Sequence, residues 1–297
     1  MSEKVFTENW DKEITEESLK HTQIPMMVKL LGTTDEKGWP HLTFIASSRA
    51  KTNKQLVWGQ FLHGNSKQYI QDNPKHSYLF MSIDMPFKML QIKANFTHTL
   101  NKSEDLDELN TGDDMRYSTT MNFFKAFYSD IVAASQLQKI SIIKLLKNIF
   151  LSKIGKGGIK SNKEEEARLD KFGKVIFTHA LNPKFIAYLD PNDDYPIIVP
   201  CFQAISHEHT KLVFSPSLFK EQLSIIPMDS KVAVFGMTMD FIAQVVKGTF
   251  LGFEKHRGIN LGIIDIEEVY NSAPPLPGLI YPKKAVLPEI SEFVALH

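Results

Sequence analysis

One order of residues occurs twice in this chain, about 155 residues apart, and it constrains the fold more than any other feature. Each copy has an aromatic-proline pair, then a lysine, a proline and an apolar run: Trp39-Pro40, Lys67, Pro74 and Tyr78–Met81 in the first, Tyr195-Pro196, Lys220, Pro227 and Val232–Phe235 in the second. A set of features that recurs in order indicates an internal duplication. We therefore expect two structural units of one kind.

Each copy has the pattern of a mainly β unit. His41–Ser48 and Gln55–Leu62 are strand-like and are separated by a polar turn. Ser66–Asp72 predicts a short helix, with Asn65 or Ser66 as its N-cap. Short strands with closely spaced turn signals favour a closed or partly closed barrel, so the sequence predicts two β-barrels.

The chain divides into three predicted segments: a first barrel over residues 1–100, a mainly helical insertion over 101–182, and a second barrel with a C-terminal tail over 183–297. Met121–Ile154 has apolar residues at helical spacing. The later part of this helical region carries five lysines: Lys139, Lys144, Lys147, Lys153 and Lys156. A basic amphipathic helix can mark a membrane surface. Most apolar helical stripes are core faces, however, so we favour a helix packed on a barrel with a solvated lysine face.

Composition excludes several classes of protein. The 34 Lys and Arg balance the 34 Asp and Glu, which argues against a nucleic-acid binder because such proteins are usually basic. Cys201 is the single cysteine, so neither an intrachain disulfide nor a cysteine zinc site is expected. His207 and His209 have no third ligand at metal-binding spacing, and no metal is predicted. The polar N-terminus and the lack of a long apolar run predict a cytoplasmic protein without a transmembrane segment.

One turn in each copy has the residue types of a phosphate site. In the first copy, the strand ending near Gln60 leads through small polar residues to Ser66 and Lys67. A helix N-terminus presents N–H groups and a partial positive charge, to which these residues add a hydroxyl and an ammonium group. This combination suits a phosphate. An ordinary capped helix with a surface lysine is the alternative for this segment taken alone.

The ordered set of motifs resembles the pyridoxamine 5'-phosphate oxidase-like family of flavin-binding split barrels. The segments that carry the resemblance are Gly38-Trp39-Pro40, Gly64-Asn65-Ser66-Lys67, Asp72-Asn73-Pro74 and Met89-Leu90-Gln91-Ile92-Lys93-Ala94. The match covers residues 25–100 well and 185–255 more loosely. It implies an α+β fold, mainly β with a helical insertion, in which two FMN-binding split barrels arise by internal duplication.

The resemblance also implies a set of cofactor-binding residues. Ser66 and Lys67 would hold the flavin phosphate, and Ser217 and Lys220 lie at the matching turn of the second copy. Five further residues would line the ring or reach the ribityl chain or the phosphate: Thr43, Ser47, Gln60, Phe61 and Gln91. Val245 stands where the second copy would repeat Gln91, so the number of flavin sites stays open.

The function implied by the resemblance is an FMN-binding oxidoreductase with flavin at a groove between barrels. Its small-molecule substrate and electron donor are not indicated, and no catalytic acid or base stands out. Residues 287–297 hold no match to the oxidase's Arg-x-His motif, so oxidation of pyridoxamine phosphate is not implied. A non-catalytic protein that binds or senses flavin, deazaflavin or haem is the alternative, and a barrel scaffold without cofactor is a third. Homodimerisation through other faces stays open.

Overall fold

The computed structural model describes residues 9–60, 64–112, 122–160, 166–238, 240, 242–272 and 278–282. Within them the chain forms two antiparallel sheets of eight strands each. The first sheet contains β1 (Met27–Thr34), β2 (Pro40–Phe44), β3 (Arg49–Thr52), β4 (Gln55–Gln60), β5 (Lys75–Ser82), β6 (Lys88–Leu100), β7 (Lys125–Ala134) and β8 (Gln138–Lys139).

The second sheet contains β9 (Lys184–Leu189), β10 (Pro196–Pro200), β11 (Ile205–His207), β12 (Lys211–Phe214), β13 (Ser230–Met237), β14 (Ala243–His256), β15 (Ile259–Asn271) and β16 (Gly278–Tyr281). Six helices accompany the sheets within the described residues: α1 (Glu16–Thr22), α2 (Asn65–Asp72), α3 (Glu104–Thr111), α4 (Ile142–Lys156), α5 (Lys171–Thr178) and α6 (Lys220–Leu223).

The two sheets repeat one topology. The order in the first is β2-β1-β5-β6-β7-β4-β3, and the order in the second is β10-β9-β13-β14-β15-β12-β11. Each second-sheet strand on this path therefore takes the place of the first-sheet strand eight labels earlier. The prediction of a mainly β chain of two split barrels related by internal duplication is confirmed.

Local hydrogen bonds repeat as well as the topology. The Ile45 amide donates to the carbonyl of Lys29 on β1, as the Cys201 amide does to Lys184 on β9. Both lysines are buried. This correspondence aligns the two copies residue by residue in the turn before β3 and β11.

A hydrophobic core cluster joins the two barrels. Its members include Leu30 and Leu79 from the first sheet and Phe185, Ile198 and Phe235 from the second. Two other clusters are built mainly within one barrel each. Because apolar burial is the main favourable term in folding, the shared cluster stabilises the contact between the two barrels.

The helical interpretation of the region that begins at Met121 is wrong for its first half. Lys125–Ala134 is β7, which pairs with β4 on one side and β6 on the other. Phe123, Phe127 and Ile131 stand four residues apart, and this spacing in a largely buried strand mimics the apolar stripe of a helix. The predicted boundary at residue 100 therefore does not end the first sheet, which continues to Lys139. The helix begins at Ile142, where the Ser141 hydroxyl accepts from the Lys144 amide.

Candidate functional site

The predicted phosphate turn lies where helix α2 begins, just after β4. The predicted short helix is confirmed, but its predicted cap is wrong. Gly64 is the N-cap, in an extended conformation, and among the described residues no side chain caps this end of the helix by a hydrogen bond. Ser66 instead uses its hydroxyl for a short contact with the hydroxyl of Thr43 on β2. This contact fixes the first turn of α2 to the sheet.

Lys67 folds back over the start of its own helix. A Cβ built on Gly64 would lie 3.7 Å from the Lys67 Nζ atom, so the ammonium group stands beside the N-cap. The side chain is partly buried, and this burial lowers the pKa of Lys67 to about 8. The first turn of α2 has no acidic residue. The positive end of the helix and the ammonium group of Lys67 therefore lie close together.

Three of the other predicted residues have different surroundings. The Ser47 hydroxyl accepts from the Gly59 amide and donates to the Gly59 carbonyl, both at 3.1 Å, and so ties the turn before β3 to β4. Gln60 is buried at the end of β4. Phe61 lies outside the described residues. Cofactor contacts for these three residues stay predictions.

Gln91 lies between the two barrels. It is buried on β6, and its side-chain amide donates to the carbonyl of Ile198 on β10. It also exchanges hydrogen bonds with the Gln222 amide, at 3.3 and 3.4 Å. The prediction that Gln91 reaches a flavin stays open, but these partners of its side chain belong to the second barrel.

Helix α2 borders the junction between the barrels through aromatic residues that the sequence analysis missed. His41 on β2 packs edge-on against Tyr69 of α2 and against Tyr270 of β15, with ring centroids 5.5 Å apart in both cases. Complete burial lowers the pKa of His41 to about 3, so this ring is neutral. Tyr270 lies far from His41 in sequence, and no spacing rule could have joined them.

A cavity of about 240 Å³ opens beside Tyr69, where the two barrels meet. Its wall includes Trp39, Lys247 and Glu268 together with Asp35, the residue that follows β1. The Lys247 ammonium lies 2.8 Å from the Asp35 carboxylate, and both side chains are buried. Burial acts to lower the pKa of Lys247, but Asp35 outweighs it and leaves the pKa raised.

A second lysine–aspartate pair joins the barrels, with the lysine now in the first barrel and the aspartate in the second. Lys93 on β6 lies 2.7 Å from Asp190, which follows β9, and bonds Asp193 as well. Lys231 stacks over Trp39 in one half, and Lys75 over Tyr195 in the other. In each barrel, a buried lysine thus binds the aspartate in the first hairpin of the other barrel. This reciprocal arrangement is like that of a two-fold symmetric dimer whose subunits are joined in one chain.

The two copies differ at the phosphate turn. Ser217 is exposed in a 3₁₀ turn over Ser217–Phe219, and its hydroxyl lies 3.0 Å from that of Ser215. Lys220 is exposed at the start of α6, which has four residues. The Ser152 hydroxyl of helix α4 accepts from the Ser215 amide at 2.8 Å. Helix α4 therefore packs onto the turn that would repeat the first copy's site.

The remaining sequence candidates are a metal site, the single cysteine and a membrane-spanning segment. Among the described residues, no group of three His, Cys, Asp or Glu side chains could hold a metal ion. Cys201 is buried, and burial raises the pKa of its thiol to about 12. None of the described helices is both long and apolar enough to cross a bilayer.

Comparison with known proteins returns structures but no sequence families. No family model and no curated protein matches the chain. An FMN-binding protein from Syntrophomonas wolfei subsp. wolfei is similar at 10% identity and a TM-score of 0.35, covering 42% of this chain and 88% of its own. HupZ of Group A Streptococcus has 14% identity and a TM-score of 0.34, covering 41% and 91%. A putative pyridoxamine 5'-phosphate oxidase from Lactobacillus delbrueckii has 15% identity and a TM-score of 0.34, covering 43% and 98%. These neighbours are of the split-barrel kind that the sequence resembles, and each match covers between 41% and 43% of this chain.

Proposed function

We propose that this chain binds FMN with the flavin phosphate at the start of helix α2, and that it acts as a flavin-dependent oxidoreductase on a small molecule. One observation carries the proposal: the ammonium group of Lys67 stands over the glycine N-cap of its own helix. The bound flavin supplies the hydride and electron chemistry, and the chain supplies binding and orientation.

The electrostatics of this turn favour a phosphate group. The helix N-terminus contributes a partial positive charge and Lys67 a full one. Partial burial disfavours the ammonium form, and a phosphate dianion beside it would restore the pKa towards its ordinary value. The hydroxyls of Thr43 and Ser66, already in contact, offer neutral donors next to the charge.

The residues present fit the phosphate end of FMN better in the first copy than in the second. Among the described residues, a Cβ built on Gly64 would meet only the Lys67 Nζ atom within 4 Å, at 3.7 Å. In the second copy, Ser152 already accepts from the Ser215 amide, and α6 has only four residues. We therefore propose one flavin per chain, with Ser217 and Lys220 outside it.

Comparison of FMN with riboflavin tests the phosphate site directly, because riboflavin lacks the phosphate. We expect purified protein to quench FMN fluorescence at lower concentrations than riboflavin fluorescence. A charge-assisted hydrogen bond contributes about 1.5–3 kcal/mol, so Lys67→Gln should weaken FMN binding by about 10- to 150-fold. Riboflavin binding should change little in this variant.

Lys220→Gln is the matched control, since this lysine holds the corresponding place in the second copy. It should leave FMN binding unchanged. Equal affinity for FMN and riboflavin, or full FMN affinity in Lys67→Gln, would refute the assignment of the phosphate site. A haem Soret band in the purified protein, without flavin absorbance, would favour the haem-binding alternative.

A further inference from the structure

Helix α4 lies in the most basic stretch of the chain. Residues 131–163 contain seven lysines and no acidic residue, whereas the whole chain has no net charge. Five of these lysines lie on α4 or just before it: Lys139, Lys144, Lys147, Lys153 and Lys156. The positive charge of this segment is therefore not neutralised by neighbours in sequence.

One face of α4 is buried against the barrels. Leu145 and Ile149 join the core cluster that both barrels share. Gly155 lies so close to Leu261 of β15 that a Cβ would stand 2.8 Å from it. Ser152 bonds the Ser215 amide. This face confirms the packing that the sequence favours, and it holds the helix in place.

The opposite face is apolar and exposed. Ile143 is 81% exposed, Leu146 is 51% exposed and Phe150 is 64% exposed. Positions three and four residues apart fall on one side of a helix, so these three side chains form one stripe. Lys147 lies within this exposed surface, and Lys144 and Lys153 lie beside it. The solvated lysine face that the sequence favours thus has an apolar centre.

We propose that this apolar and basic face of α4 docks on an anionic membrane surface, with the helix axis in the plane of the membrane. Apolar side chains would enter the boundary between headgroups and acyl chains, and lysines would contact acidic headgroups. The stretch without acidic residues favours an anionic surface over an ordinary protein partner. Because α4 is already folded against the barrels, docking does not have to form the helix. This proposal is independent of flavin binding.

Vesicle co-sedimentation of the full chain tests the proposal. We expect binding to vesicles of phosphatidylcholine with about one third phosphatidylserine, weak binding to phosphatidylcholine alone, and loss of binding at high salt. Each lysine near an anionic surface strengthens binding about fivefold, so Lys144→Gln with Lys147→Gln should weaken it about 25-fold. Replacing Ile143, Leu146 and Phe150 together by serine should abolish it.

Matched controls are available on exposed sites elsewhere. Lys12→Gln with Lys102→Gln makes the same charge change, and Leu181→Ser with Leu251→Ser removes exposed apolar side chains. Neither pair should alter vesicle binding, and circular dichroism should show every variant folded. Absence of binding to the acidic vesicles would overturn the proposal. Self-association that the triple serine variant abolishes, without vesicle binding, would assign the face to a second copy instead.

Discussion

The buried ion pair that joins the barrels predicts a large and asymmetric response to mutation. Lys93 and Asp190 are 2% and 1% exposed, and their charged atoms lie 2.7 Å apart. Lys93 also bonds both carboxylate oxygens of the half-exposed Asp193, at 2.7 and 3.0 Å. Replacing Lys93 by methionine keeps much of its volume but removes the ammonium group that bonds both carboxylates.

The expected magnitudes follow from what each substitution leaves behind. Lys93→Met leaves the Asp190 carboxylate buried beside Asp193, and breaking a buried pair in this way costs about 3–5 kcal/mol of unfolding free energy. Asp190→Asn leaves Lys93 paired with Asp193, so we expect a smaller cost of about 1.5–3 kcal/mol. The double variant should cost less than the two single costs together, because the two side chains are in contact.

Urea unfolding, followed by circular dichroism and by tryptophan fluorescence, measures these three costs. Two results would refute the interpretation of this contact as a buried pair. One is a loss of unfolding free energy below about 1 kcal/mol in Lys93→Met, and the other is a greater loss in Asp190→Asn than in Lys93→Met. The pH dependence adds a check. Burial acts to raise the pKa of Asp190, but hydrogen bonds from Lys93 and Asn192 outweigh it and leave the pKa lowered. The pair's contribution is therefore present above about pH 4 and is lost as the pH falls through the folded-state pKa.

Three further predictions concern single sites. FMN affinity should be greatest between about pH 6 and pH 8. The phosphate gains a proton below about pH 6, and Lys67, with a pKa of about 8, loses its proton above about pH 8. Fluorescence titrations that show no weakening of FMN binding above about pH 8 would contradict this prediction. Gly248→Ala should cost about 3 kcal/mol of stability, since its Cβ would lie 2.1 Å from the backbone carbonyl oxygen of Asp265. Gly278→Ala is the control in thermal unfolding, because its Cβ would meet no atom of the described residues within 4 Å. Cys201 should resist aromatic disulfide reagents in the native protein and should react after urea has unfolded the protein, because burial raises the pKa of its thiol to about 12. Rapid reaction of the folded protein would show that the thiol is not buried.

The parts of the fold that follow from local rules could be predicted from the sequence. Turn residues and alternating apolar runs mark most strands. Helix α2 lies between Gly64 and Pro74, and these two residues mark its start and its end in the sequence. Two features that depend on tertiary pairing were missed. The first is β7, which pairs with strands on both sides and therefore lacks the alternation of apolar and polar residues that marks a half-buried strand. The second is the N-cap of α2, which is Gly64, while the Ser66 hydroxyl contacts Thr43.

The reciprocal ion pairs do have a signal in the amino-acid sequence. The repeat itself aligns Lys93 with Lys247, each within an otherwise apolar strand, and the residues after the first strands are Asp35 and Asp190. A lysine kept in both copies of a buried strand needs a partner, since burying an ammonium group alone is costly. Which barrel supplies that partner could not be predicted, because contact between copies depends on how the two units dock.

Covalent joining of two copies explains how one of them can differ from the other at the phosphate turn. In a symmetric dimer, any change at the start of α2 would appear in both subunits. Here α4 follows the first barrel and packs on the second, where Ser152 takes the Ser215 amide. The same helix then turns Ile143, Leu146 and Phe150 to the outside. One proposed flavin site per chain and one proposed membrane face are thus two consequences of where a single helix packs.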